Sequence, residues 1–353
     1  MNRLGLLCLL GAFVLASPAK AQDSRRAGIH EPFLLEQVHA LGLDSVRRGR
    51  AIVHFTPGYR DRAEWFAPRV DRELRLFGDS LGTELQQYHL ILPDRDHWEQ
   101  LAEWPYGFPV NGTGGWQERN LGKYVPGRPP SGIVPADGEG VVYEHILALK
   151  ECAPAKYRQR LKGMELSWEK AARRYVDVIA FHEVGHAVSD AYEIRQPLWL
   201  GEFFPNVLTY AYVQGSEPKY ATVWDLMTAV TLECQKPTHE RTLEAAMRLG
   251  QGGDDYHWFQ SFLIQRANRV VETYGLHFLR EARKAFPPAS SGQPDPLRKK
   301  EETLDESWDQ LSDEEALRRL REINDEMLRR LEQIAPGFHE WAKRFQRDEG
   351  DGG

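Results

Sequence analysis

The chain has 353 residues, 41% of them hydrophobic and 27% charged. That balance suits about two soluble globular domains and excludes collagen, wholesale disorder and a multi-span membrane protein. Its 45 basic and 52 acidic residues give a formal charge of −7, which argues against a nucleic-acid partner, because such binders concentrate positive charge on one face.

Residues 1–21 read as a secretory signal peptide. Arg3 opens it, an apolar run covers 4–16, and Ala19-Lys20-Ala21 offers the small-x-small cleavage pattern. The run is too short for a comfortable membrane anchor. The expectation is an exported chain, periplasmic or extracellular, without a stable membrane span after cleavage; a retained N-terminal anchor is the alternative. Beyond this segment only Cys152 and Cys234 remain. In an oxidising compartment they can pair as one disulfide, or they can stay two buried thiols.

After an N-terminal segment over 22–50, Ala51–Phe55 predicts a strand stopped at Thr56-Pro57-Gly58. Apolar residues then return at helical spacing over 62–81 (Trp65, Phe66, Val70, Leu74, Phe77), closed by Gly82. Tyr88–Leu92 reads as a second strand, stopped by Pro93. The glycine- and proline-rich tract over 107–140 suits short edge strands and turns, and 141–149 is strand-like at its start. Residues 51–150 are therefore expected to form a β-rich sheet subdomain.

From there the pattern turns helical, and 151–286 reads as a helical subdomain. The stretch over 167–192 is apolar on most sides, from Trp168 through Phe181 to Ala191, which marks a buried helix. Further helices are predicted over 205–213, 222–234, 243–249 and 256–274. A linker over 287–300 precedes a C-terminal helical extension over 301–346 and a tail over 347–353. Ser312 and Glu315 make a capping box, followed by Leu317, Leu320, Ile323, Met327, Leu331 and Ile334 on one face. That face can bind a partner or, the favoured reading, dock onto its own domain. The fold class expected is α+β: a small N-terminal mixed β-sheet domain plus a helical domain.

The chemistry concentrates in His182-Glu183-Val184-Gly185-His186. Two imidazoles at i and i+4 share one helix face and can converge on one ion, while Glu183, one step round, can stand beside it without ligating it. Chance supplies His-acid-x-x-His roughly 0.06 times in a chain of this composition. The apolar setting of Phe181, Val184, Ala187 and Val188 lowers that further, since burying such a cluster without partners or an ion costs several kcal/mol. Neutral imidazoles suit zinc, one Zn2+ per chain. The downstream Leu198-Trp199-Leu200-Gly201-Glu202 offers Glu202 as a third ligand; the same residue also suits the positive end of a helix start.

His-Glu-Val-Gly-His at 182–186 with Trp-Leu-Gly-Glu at 199–202 resembles the gluzincin metallopeptidases, the clan of thermolysin and aminopeptidase N, and is closest to the bacterial peptidase MA-like proteins. The resemblance covers roughly residues 45 to 285 and is specific at 182–202. It implies a zincin-like fold with the metal site on a buried helix between the two domains. It makes His182, His186 and Glu202 zinc ligands and Glu183 the general base. Phe203 stands where the clan commonly has glycine, which bears on the adjoining substrate subsite.

The segment from Tyr256 to Gly275 is similar to the clan's later helix, so Tyr256 is the candidate oxyanion donor, with His257 in reserve; packing on the core is the plainer alternative. Asp190 and Asn206 can orient ligands from behind, or serve as surface polar groups or caps. The function implied is an exported zinc metallopeptidase acting on a peptide or protein substrate, laid in the groove between the two parts. Gly114-Gly115-Trp116 is a candidate neighbourhood for the sheet edge that would take it. The alternatives are a zinc hydrolase of a non-peptide bond and a non-catalytic zinc-containing binding protein.

Overall fold

A computed structural model describes residues 35–346 apart from 84, 103, 112–129, 236–242, 244–255, 308 and 309. The expected signal peptide, the helix expected over 243–249 apart from Leu243, the tail and the Gly114-Gly115-Trp116 neighbourhood lie outside the described residues. Among the described residues no helix is long and apolar enough to cross a membrane.

The chain begins with α1 (Leu35–Ala40), β1 (Asp44–Arg48) and β2 (Ala51–Phe55). Helix α2 (Arg60–Leu81) crosses to β3 (Tyr88–Leu92), and its C-terminus is closed by Gly82 in the left-handed region at φ 73°. That conformation is open to glycine without a Cβ penalty. Helix α3 (Arg95–Leu101), β4 (Val110–Asn111) and β5 (Ser131–Ile133) follow. The five strands lie in the order β1-β2-β3-β5-β4. β2, β3 and β5 run parallel, and β1 and β4 close the two edges antiparallel. The sheet is mixed, and its first strand lies before residue 51.

Alternation along the strands separates two faces. Val53, Phe55, Leu90 and Leu92 enter the main core with Phe66, Val70 and Phe77 of α2. Ile91 and Ile133 face a smaller cluster with Val38, Trp98 and Leu101. His54 and His89 are buried on that second side, 2% and 3% exposed, with His54 Nε2 2.9 Å from His89 Nδ1.

Residues 141–149 are a correction. Val141–Ala148 is a helix, α4, starting after Gly140 at φ 96°, and Val142, Tyr143 and Ile146 are its buried residues. Their spacing fits one helix face, so packing outweighs the strand preference of the Val-Val-Tyr start. Helix α5 (Ala155–Gly163) leads to α6 (Trp168–Ala191), capped where Ser167 Oγ accepts from the Lys170 N–H.

Helix α7 (Leu200–Ser216) begins five residues before the expected start, with Pro205 inside it. Helix α8 (Pro218–Cys234) packs on α6 and α7, and α9 (Tyr256–Tyr274) packs on α7 and α8. Cys152 and Cys234 are disulfide-bonded with their Cα atoms 5.7 Å apart, tying the α4–α5 turn to the end of α8.

Helix α10 (His277–Ala285), a 3-10 turn (Ala289–Ser291), α11 (Pro296–Ser307), α12 (Asp313–Ile334) and α13 (Phe338–Gln346) finish the chain. Ser312 Oγ accepts from the Glu315 N–H as the capping box requires. The apolar face of α12 docks onto its own chain: Leu320, Ile323, Met327 and Leu331 belong to the same core as Phe66 and Phe181. Around Asp295, 2% exposed at its side chain, Arg195 and Arg330 each approach to 2.7 Å, fastening the segment before α11 to α12 and to the turn after α6. The architecture is thus mixed α+β, mostly helical, with a small N-terminal sheet.

Candidate metal centre

The site is assembled from two consecutive helices held unusually close. Gly185 of α6 faces Pro205 of α7, and a Cβ there would lie 3.0 Å from the Pro205 carbonyl oxygen and 3.1 Å from its Cα. Without that side chain the two backbones approach, which brings Glu202, in the first turn of α7, across to the α6 face bearing His182 and His186. The preceding turn is anchored from the far end of the chain. Trp199 is 1% exposed, and its indole N–H donates to Asn324 Oδ1 of α12 at 2.9 Å. Leu198 before it sits at φ 50°, a conformation unfavourable for leucine and so imposed by its surroundings.

The three side chains form a compact triangle. His182 Nε2 lies 3.1 Å from His186 Nε2 and 3.2 Å from Glu202 Oε2, and His186 Nε2 lies 3.8 Å from the same oxygen. Ligands tetrahedrally disposed at about 2.0–2.1 Å from zinc stand about 3.3 Å apart, so the donor set fits a small divalent ion with little movement. Among the described residues this is the one group of three or more such side chains that could hold a metal ion. Side-chain exposure rises from 9% at His182 through 17% at His186 to 28% at Glu202, so the group opens to solvent on its Glu202 side.

Charge is distributed accordingly. Burial disfavours the Glu202 carboxylate, but His186 and His182 outweigh it and hold the pKa at about 2. Burial likewise pushes His182 down, yet Glu202 raises its pKa above the ordinary value. His186, buried with less help from Glu202 and repelled by His182, falls to about 4. An anionic carboxylate beside two imidazoles is the charge pattern of a cation site.

Glu183 stands beside the group, 5% exposed, and burial raises its pKa to about 8, with His182 opposing and Glu202 adding to the shift. It packs against the sheet through Gly132 of β5, where a Cβ would meet Glu183 Cβ at 2.8 Å and the Tyr88 hydroxyl at 2.3 Å. Gly132 is the only residue type that admits this approach.

Tyr256 opens α9 near the group: its hydroxyl accepts from Gln260 Nε2 at 2.9 Å, and its pKa is raised by burial and by the charges of Glu202 and Glu183. His257 is turned elsewhere, stacked on His145 at 3.9 Å between centroids, and burial alone lowers it to about 4. Asn206, fully buried one turn after Glu202, favours protonated His182 as a hydrogen-bond acceptor, although the pair falls short of full hydrogen-bond geometry. Asp190 accepts from Gln196 Nε2 at 2.9 Å, which ties the end of α6 to the turn that follows. Phe203 is fully buried against Trp199, Phe278 and Phe338; its ring points into the core.

Sequence reasoning missed Gln260, Gly132 and Tyr88. The i, i+4 spacing of Tyr256 and Gln260 was a usable signal, whereas Gly132 and Tyr88 reach Glu183 only through sheet pairing. Comparison with protein-family models, with curated proteins and with solved structures yields no match to this chain.

Proposed function

We propose that the protein is an exported, zinc-dependent metallopeptidase of gluzincin type with a zincin-like fold. The observation that carries this reading is the triangle of His182, His186 and Glu202, with the carboxyl of Glu183 buried next to it and the Tyr256 hydroxyl nearby. His182 and His186 would hold zinc through Nε2 and Glu202 through its carboxylate. Zinc bound there supplies Lewis acidity: it acidifies a water and polarises a carbonyl.

The chain's own residues supply the rest. Glu183 is the proton carrier, taking a proton from the attacking water and delivering it to the leaving amine. A pKa raised toward neutrality by burial suits a group that must both accept and release a proton near pH 7, and a nearby divalent cation moves it back down. Tyr256 donates its hydroxyl proton as a hydrogen bond to the developing oxyanion. Three protein ligands and one open side favour catalysis over a purely structural site, which is normally closed by four.

Glu183→Gln tests the reading, because it keeps size and polarity while removing the base. Purified wild-type protein should hold one zinc and cleave members of an unbiased peptide library. The variant should hold the same zinc and lose activity by at least 100-fold. Wild type without stoichiometric zinc, or a variant that cleaves normally, refutes it.

A further inference from the structure

We propose that the cavity between α9 and α13 is a binding site for a small organic anion, a carboxylate or phosphate that carries a compact apolar group. None of its lining residues belongs to the metal group, so the site stands or falls independently of the metallopeptidase reading.

Two helices contribute to it with the same spacing. Phe262, Gln265, Arg266 and Arg269 recur at i, i+3, i+4 and i+7 along α9, which places them on one face. Gly337, Glu340, Trp341 and Arg344 repeat that spacing from the residue before α13 onward. The cavity enclosed by the two faces has a volume of about 170 Å3. Its apolar part is a stacked pair, with the buried Phe262 and Trp341 rings 4.9 Å apart between centroids and inclined by 21°.

The polar part is three guanidinium groups. Arg266 is held in place: it lies 4.2 Å from the centre of the Phe338 ring, and Nη2 donates to the Pro336 carbonyl at 3.2 Å. That bond leaves Nη1 unused. Burial lowers the Arg266 pKa, Glu332 opposes the shift, and Arg269 and Arg344 add to it, so three like charges are felt at one place. The acids nearby are already engaged. Glu332 accepts from the backbone N–H groups of Gly337 and His339 at 2.8 and 3.0 Å, and Glu340 pairs with Lys343 at 2.8 Å. Among the described residues no ion pair joins Arg269 or Arg344 to an acid.

Like charges gathered without matching acids repel one another, and an anion among them relieves that repulsion. Arginine forks take a carboxylate or phosphate through paired N–H···O bonds, while the aromatic pair receives an apolar group. Size narrows the ligand further. The volume is well below the roughly 300–1,000 Å3 of pockets that hold drug-sized molecules, which leaves space for a single ring or a short chain.

Calorimetric titration of the full chain, in low-salt buffer free of phosphate, tests this with benzoate, phenyl phosphate, inorganic phosphate and benzylammonium. One of the two ring anions, or both, should bind once per chain and about 10-fold tighter than inorganic phosphate, and benzylammonium should not bind. The tighter of the two ring anions distinguishes carboxylate from phosphate chemistry. Arg269→Gln/Arg344→Gln, which changes two exposed side chains, should keep the wild-type thermal midpoint and weaken the ring anion about 10-fold. Arg269→Lys/Arg344→Lys, which keeps the charges without the forks, should fall between that variant and wild type. His186→Ala, altered in the metal group, should bind the ring anion as wild type does. No binding of either ring anion, equal binding of benzylammonium, or inorganic phosphate as tight as the ring anions overturns the proposal. So does an affinity that both arginine variants leave intact, or one that His186→Ala abolishes, which would put the anion at the metal.

Discussion

The His54–His89 pair on the outer sheet face makes the fold sensitive to acid. Each imidazole is held at a pKa of about 4 instead of the ordinary 6.5. For His54 burial is the main cause, followed by His89 and His39; for His89 it is burial, followed by Arg47 and His39. Above pH 6.5 the residues are neutral in folded and unfolded chains alike, and the pair contributes no pH dependence. As pH falls from 6.5 toward 4 the unfolded chain takes up protons that the folded one refuses, so stability is lost through that window. At pH 5 the linkage relation gives about 2 kcal/mol for each group and up to about 4 kcal/mol for the pair. That is a large part of the roughly 5–15 kcal/mol that folds a typical domain. Urea midpoints at pH 7.5 and pH 5 should therefore differ much more for the wild type than for His54→Val/His89→Val, whose valines suit a strand interior. His145 and His257, lowered by burial to about 3 and about 4, titrate in both proteins and cancel in the comparison. Parallel losses in the two proteins would refute a buried neutral pair.

Three further outcomes are expected. Glu73 of α2 is fully buried, its carboxyl oxygens have no hydrogen-bond partner, and burial raises its pKa well above the ordinary value. The unfolded carboxyl ionises near 4.5 while the folded one stays protonated, so stability is lost as pH rises above 4.5; Glu73→Gln should unfold at higher urea than wild type at pH 8 and not at pH 4, and equal midpoints at pH 8 would contradict this. Gly185→Ala should force α6 and α7 apart by a few tenths of an ångström, costing about 1–3 kcal/mol and weakening zinc in a chelator titration; unchanged affinity would show that the close approach does not set the triangle. Removing the disulfide with Cys152→Ser/Cys234→Ser opens a loop of sequence separation 82, for which chain entropy gives about 4–5 kcal/mol. A loss below about 1 kcal/mol in urea unfolding would place the bond's contribution elsewhere.

Local signals carried much of this structure. Ser167 before an apolar helix, Ser312 with Glu315, and the apolar return of Tyr256–Tyr274 each mark an element where the structure has one. The pairing of His182 with His186 follows from helical spacing alone. The failures share a different cause. Val141–Ala148 has a β-preferring start, and only burial of Val142, Tyr143 and Ile146 against the core makes it a helix. Pro205 suits a helix start, but α7 begins at Leu200 because Trp199 is fastened to Asn324, 125 positions away in the chain. Short strands such as Ser131–Ile133 exist by virtue of their neighbour, His89 opposite Ser131 and Ile91 opposite Ile133. The His54–His89 contact and the approach of Gly132 to Glu183 join residues whose proximity no local pattern announces.

The anchoring of Trp199 by Asn324 gives the last helices a part in the metal group's geometry. A chain shortened before residue 312 would leave the indole N–H without its acceptor and strip Leu320, Ile323, Met327 and Leu331 from the core. The turn that presents Glu202 would then lose its footing while His182 and His186, both on α6, kept theirs. Damage at the C-terminus should therefore appear as a carboxylate gone astray from two imidazoles still in place, a two-ligand remnant with much weaker grip on an ion. Helix α12 acts as a remote splint for the turn that presents Glu202.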